Sequence, residues 1–175
     1  MRRLLYILLT AAALTACSTP QQTRYFTLPD SQFSLPNQHR QEIAVQTILA
    51  DPLNNGGLVY QNDAQSLNFA RNHLWAAPLN QALNVSFSNK LNRIGNKHYM
   101  FVPAGRSQSN RVLKIYIEAF QGTYLGITQV NGYAVWPDGS SRNFQIDTPQ
   151  EKDGYPAMIE SLDRGVYAAA ATISR

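Results

Sequence analysis

The sequence predicts an α+β domain, and three observations carry that expectation. Several short runs alternate apolar with polar residues, as in Val112–Glu118, which is the pattern of a half-buried strand. Two longer stretches place apolar residues on one helical stripe, one through Leu79, Leu83, Phe87 and Leu91, the other through Ile159, Leu162, Val166 and Ile173. Clusters of Pro, Asn, Asp and Gly separate these runs, and such clusters make turns.

The chain opens on Arg2 and Arg3, then runs apolar from Leu4 to Leu14 except at Tyr6 and Thr10. That run is too short to span a bilayer comfortably and has the order of an export signal. It ends in Leu14-Thr15-Ala16-Cys17, which holds the only cysteine. These four residues resemble the bacterial lipobox of Leu, a small residue, Gly or Ala, and Cys. The resemblance implies cleavage before Cys17, a diacylglyceryl group on its sulfur and acylation of the new amine. The thiol is the one soft nucleophile available for a thioether, and small neighbours let an extended backbone lie in a membrane protease. One acyl chain binds a membrane marginally and two or more bind almost permanently, at about 0.8 kcal/mol per buried CH₂. Ser18 follows, not Asp, which in bacteria that sort lipoproteins implies the outer membrane. Residues 1–16 are therefore expected to be a lipoprotein signal peptide, 17–24 the lipidated Cys and a polar flexible leash, and 25–175 a single α+β domain. The seven leash residues after Cys17 reach about 25 Å at most.

Tyr25–Leu28 reads as a first strand and Pro29–Gln41 as a loop. In Glu42–Leu49, Ile43, Val45 and Thr47 share one side of a strand. Turn residues at 51–57 lead to a strand at Leu58–Gln61, and Leu67–Ala70 reads as another. The first helix begins near Pro78, which suits a first helical position, and stops at Gly95-Asn96. Asn80, Asn84, Lys90 and Arg93 fall on its opposite side and are expected to form a solvated face. Trp75 is expected to fold under this helix as a core residue. Tyr99–Val102 and Val112–Glu118 read as strands, Phe120–Gly126 as a loop, and Ile127–Trp136 as a longer strand. Pro137-Asp138-Gly139-Ser140 is a hairpin turn, and Arg142–Asp147 returns with Phe144 and Ile146 on one face. The last helix starts near Pro156. Glu160 and Arg164 are spaced to pair, and Gly165 with Ala168–Ala171 suggests a thin face packed close to a sheet.

Hydrophobic residues make up 44% of 175, enough for a core within one domain. Without Arg2 and Arg3, 13 basic residues face 11 acidic ones, and the net charge falls from +4 to +2. The basic residues are scattered, with no run of three, which excludes a nucleic-acid patch. A lipidated Cys17 leaves no thiol for a disulfide or zinc site. His39, His73 and His98 show no metal-ligand spacing, and neither a G-x-S-x-G elbow nor a phosphate loop is present. Asp147, Glu151 and Asp153 precede the last helix, where acids are favoured by the helix dipole without a cation; calcium is the other reading. The sequence offers no constellation for an enzyme and implies no cofactor beyond the covalent lipid on Cys17.

Several of these features coincide: the lipobox, Tyr25-Phe26-Thr27-Leu28 after the leash, Leu74-Trp75-Ala76-Ala77-Pro78-Leu79 at the first helix, the alternating 112–118 strand, Val135-Trp136 and a closing helix. Together they resemble the ABC-type transport auxiliary lipoproteins, the PqiC-like family, over nearly the whole mature chain. The resemblance implies a mixed, largely antiparallel sheet with two helices on one face. It implies an outer-membrane lipoprotein facing the periplasm, working with an inner-membrane component and an MCE-domain protein that forms a tube across the periplasm. The system is linked to phospholipid movement and envelope integrity, and an ATPase belongs to some relatives. The family has no catalytic residues to carry over; Cys17 transfers as the lipid-anchor site. A docking module for the tube is thus expected. The rival reading is a periplasmic lipoprotein holding a small apolar ligand between helices and sheet, which a dry cavity beneath Leu83 and Phe87 would favour. Geometry adds a further expectation. One small domain cannot encircle a tube, but a homo-oligomeric ring with heterologous contacts could. Phe120, Tyr124 and Leu125 put three large apolar side chains in one predicted loop. They either close the core or lie at a subunit or tube contact.

Overall fold

The computed structural model describes residues 22–37 and 40–174. They form an eight-stranded mixed sheet with two long helices. In chain order these are β1 (Arg24–Phe26), β2 (Gln41–Leu49), β3 (Gly57–Gln61), β4 (Leu67–Trp75), α1 (Leu79–Ile94), β5 (Tyr99–Pro103), β6 (Val112–Thr123), β7 (Ile127–Val135), β8 (Ser141–Pro149) and α2 (Tyr155–Ile173).

The sheet is organised on β6, where it branches. One edge of β6 pairs in parallel with β2 through its first half and with β3 at Gly122 and Thr123. The other edge runs antiparallel to β7, which pairs in turn with β8. Beyond β2 lies β5, and beyond β3 lie β4 and β1. The two longest ladders, β6–β7 and β7–β8, are antiparallel, as is the short β3–β4 pairing; the parallel pairings are shorter than the two long ladders.

Both helices cover the face that carries Ile43, Val45, Leu113, Ile115 and Ile117, α1 over β2 and β5, α2 over β7 and β8. Leu79, Leu83, Phe87 and Leu91 of α1 are buried there, and so is the whole α2 stripe from Ile159 to Ile173. Alternation explains the sheet's contribution: successive side chains of β2 and β6 point to opposite faces, so every second residue meets a helix. Gly165 explains how closely α2 approaches. A Cβ there would stand 2.7 Å from Val130 Cγ2, nearer than side chains pack.

Four expectations change. The leash meets the sheet one residue early, because Arg24 already pairs with His73. β4 runs on to Trp75, so this tryptophan ends a strand; it is still buried, tilted against Phe120 at 6.0 Å. β6 does not stop at Glu118. Its pairing with β7 shifts between Ile117 and Ala119, a bulge that inserts one residue and moves the inward phase from Ile117 to Phe120. Phe120 is therefore a strand residue, 1% exposed, and it takes the core reading of the two left open for it. Finally, Lys90 is not on a solvated face. It is 1% exposed, for reasons given below.

Candidate functional site

Cys17 and His39 lie outside the described residues. Among the described residues no helix is long and apolar enough to cross a membrane, and no group of three His, Cys, Asp or Glu is placed to hold a metal ion.

The remaining candidate contact residues meet at one end of the sheet. The β6–β7 turn carries Tyr124 and Leu125, which are 48% and 65% exposed. The turn is closed by Thr123, whose hydroxyl donates to the Ile127 carbonyl at 3.0 Å, and by the Gly126 amide on the Thr123 carbonyl at 3.2 Å. The Tyr124 amide donates to the Gln61 carbonyl at 3.0 Å, and Gln61 pairs with Leu67 across the β3–β4 hairpin. Leu67 is 42% exposed. Three large apolar side chains, two from this turn and one from the start of β4, thus stand in solvent at one tip. Leu67 went unnoticed in the sequence because its proximity to Tyr124 depends on the β3–β6 pairing. The hairpin beside it is pinned by Asp63, which accepts from the Gln65 and Ser66 amides at 2.8 Å and from the Ser66 hydroxyl. The Gln65 amide, followed by the Ser66 hydroxyl, leads the causes that lower the Asp63 carboxyl below its ordinary range.

A hollow of about 380 Å³ opens next to the tip, between the first turn of α2 and the ends of β3 and β6. Tyr60, Tyr155 and Met158 line it together with Gln150, Lys152 and Asp153. Gly122 makes room for its floor, since a Cβ there would stand 2.5 Å from Met158 Sδ. Tyr155 stacks on His73 at 4.2 Å, and His73 stacks on Phe26 at 5.8 Å, so this histidine is an aromatic spacer between β1 and α2. Of the three acids, Asp147 sits opposite Gln129 on β8, Asp153 lines the hollow, and Glu151 approaches Arg164 at 3.6 Å. Arg164 turns to this loop and to the Pro149 carbonyl at 2.8 Å, away from the pairing with Glu160 that the spacing predicted.

The charge cluster that the sequence concealed lies on the other side of the helix layer. Lys90 Nζ donates to Asp163 of α2 at 2.7 Å and to Asp30 at 3.2 Å. Arg93 Nη1 and Nη2 both reach the Asp30 carboxylate. Asn89 Nδ2 donates to the Gln32 carbonyl at 2.7 Å and to Asp30 Oδ1 at 3.1 Å, and its Oδ1 accepts from the Ser34 amide at 3.1 Å. Burial pushes the Asp30 carboxyl up, but the Arg93 hydrogen bond and the Lys90 charge outweigh it, and the net effect holds it below the usual carboxylate range.

This fold is shared. A crystal structure of an uncharacterised protein, 26% identical in sequence, superposes with a TM-score of 0.73 over 89% of this chain and 98% of that one. A crystal structure from Xanthomonas campestris shows the same fold at 15% identity, with a TM-score of 0.57 over 85% and 87% of the two chains. The family model of the ABC-type transport auxiliary lipoprotein component matches residues 26–174. The chain belongs to this family. Consistent with that, it is 30% identical to the intermembrane transport lipoprotein PqiC of Escherichia coli, over 94% of this chain and 92% of that protein, and equally to PqiC of Shigella flexneri. The transport auxiliary lipoproteins are not a family of enzymes, and an auxiliary component of a transport system works among other proteins.

Proposed function

We propose that this transport auxiliary lipoprotein is held in the outer membrane by lipid on Cys17, faces the periplasm, and docks the end of an MCE-domain tube through the tip formed by Tyr124, Leu125 and Leu67. The observation that carries the docking role is the tip itself. Its apolar side chains come from the β6–β7 turn and the first residue of β4, both braced by backbone hydrogen bonds, so they are held in solvent without any requirement of the core. Several copies arranged head to tail would present a ring of such tips to a tube. The inner-membrane component is reached only through the tube. The hollow beside the tip mixes Lys152, Asp153 and Gln150 with its apolar lining, and Leu83 and Phe87 are packed into the common core. Both facts favour docking over the storage of a small apolar ligand.

The test is in-cell photocrosslinking from position 125 in the full-length protein. Capture of the MCE-domain protein supports the reading; capture of neither that protein nor a second copy overturns the tip as a contact. For the anchor, Cys17→Ala is expected to abolish incorporation of radioactive palmitate, and label retained in the variant refutes the assignment.

A further inference from the structure

The sheet ends in strands of unequal length. β1 has three residues, and β5 has five and stops at Pro103. β8 has nine, with no lysine and with proline only at its last position. Among the described residues no strand pairs with its outer edge, and its ladder with β7 runs through without a bulge. Short strands, lysine, proline and bulges are the usual guards of a free edge, and β8 has none of them before Pro149. The register shows which backbone groups are free. The Trp136 amide donates to the Ser140 carbonyl and the Gln150 amide to the Gly126 carbonyl, both at 2.9 Å. Bonded pairs alternate along an antiparallel ladder. Arg142, Phe144, Ile146 and Thr148 therefore bond β7, while Ser141, Asn143, Gln145 and Asp147 turn N–H and C=O outward.

The opposite end of the sheet has a second opening. β1 covers β4 only at His73, Leu74 and Trp75. Among the described residues no strand lies outside the Leu67–Asn72 half of β4. The Asn62 amide on the Ser66 carbonyl at 3.1 Å sets the phase there, so Leu67 and Phe69 point their backbone groups outward. A hollow of about 410 Å³ lies along this half of β4, lined in part by Asn68, Arg71 and Tyr155.

We propose that β8 of one copy pairs with the open half of β4 in the next copy. The inference rests on the head-to-tail assembly proposed above and names its joint. β4 and β8 lie at opposite ends of the run β4-β3-β6-β7-β8, as a heterologous contact requires. β8 runs in the direction of β6 and β4 runs against it. Copies related by rotation about an axis near the strand direction keep those directions, so β8 meets β4 antiparallel. That is the more stable kind of ladder, and strand addition is an established mode of recognition. The levels agree too. β8 ends at Pro149 opposite Ile127, next to the tip, and β4 starts at Leu67 in the tip. The charges are opposite: Arg142 is turned to the Thr172 and Ser174 carbonyls of α2, which leaves Asp147 on the β8 edge and Arg71 on the β4 edge.

Gln145→Pro tests this in the full-length protein, extracted from membranes in detergent. It removes one outward N–H, which an edge strand tolerates. The variant is expected to keep the wild-type unfolding midpoint and to lose the self-association that the wild type shows by sedimentation. A second measurement does not need that variant to fold. Two proteins are coexpressed, one with Asn143→Cys and the other with Arg71→Cys, and treated with a short bismaleimide. A coupled pair of chains is expected, and no coupling when Lys97→Cys replaces Arg71→Cys. A wild type that stays monomeric at every accessible concentration overturns the assembly and the joint with it. A wild-type oligomer that a folded Gln145→Pro leaves intact, or one whose 143 and 71 positions do not couple or couple no better than 143 and 97, overturns the joint alone.

Discussion

At the scale of single residues, Lys90 and Gly132 are closely constrained by their surroundings. The Lys90 ammonium is 1% exposed, and two carboxylates bind it in place of water. Truncation leaves those carboxylates facing a void, and removing one partner of a buried pair costs about 3–5 kcal/mol. Asp30 and Asp163 are partly accessible, so Lys90→Ala is expected at the lower end, read as a fall in the urea midpoint. The cluster also predicts an acid response. The folded-state pKa of Asp30 is depressed, so its stabilising contribution is present above the ordinary carboxylate range and is lost as pH falls through the lowered value. Below about pH 4 the wild type should therefore lose stability more steeply than Asp30→Asn; parallel curves would show that Asp30 contributes nothing to the response. Gly132 stands opposite the β6 bulge with φ of 157°, and a Cβ there would lie 1.9 Å from the Tyr116 carbonyl oxygen. Gly132→Ala forces backbone apart and is expected to destabilise by about 3 kcal/mol, measured by thermal or urea unfolding.

At the scale of elements, the two helices differ in how they meet the sheet. α1 uses large side chains, and Phe87 at its centre is fully buried among Leu83, Leu113 and Ile115 in the common core. Phe87→Ala is expected to cost about 3–5 kcal/mol in a denaturant titration; a loss under about 1 kcal/mol would mean that α1 packs elsewhere. α2 instead uses Gly165, Ala169 and Ala170 to bring its backbone near β7 and β8. Both stripes were legible in the sequence, because a helix declares its buried face by a period that needs no partner. The continuation of β6 was not. Its bulge breaks the alternation at Glu118–Ala119, so the strand looks finished at Glu118, two residues before Phe120 reaches the core.

For the whole molecule, the tip and the Asp30–Lys90 cluster lie on separate parts of the fold, which lets assembly be changed without touching stability. Tyr124→Asp combined with Leu125→Asp alters only exposed side chains and is expected to leave the unfolding midpoint within about 0.5 kcal/mol of wild type. The same pair should weaken any self-association seen by sedimentation. A wild-type protein that stays monomeric at every accessible concentration would remove the ring, and an oligomer indifferent to the double change would remove the tip from it.

The sequence by itself determined the α+β class, the two helix stripes, most strands and turns, and the family resemblance, because periodicity and turn chemistry are local properties of the chain. Only the tertiary structure decided that β6 is the branch point of the sheet and that Phe120 turns inward while Tyr124 and Leu125 do not. It also decided that Leu67 joins them, and that a lysine on the polar side of a helix is buried. That lysine's partners lie 60 and 73 residues away in the chain. Charge pairing over such distances leaves no periodic trace, and nothing in the neighbourhood of Lys90 distinguishes it from a solvated residue until α2 and the segment around Asp30 close over it.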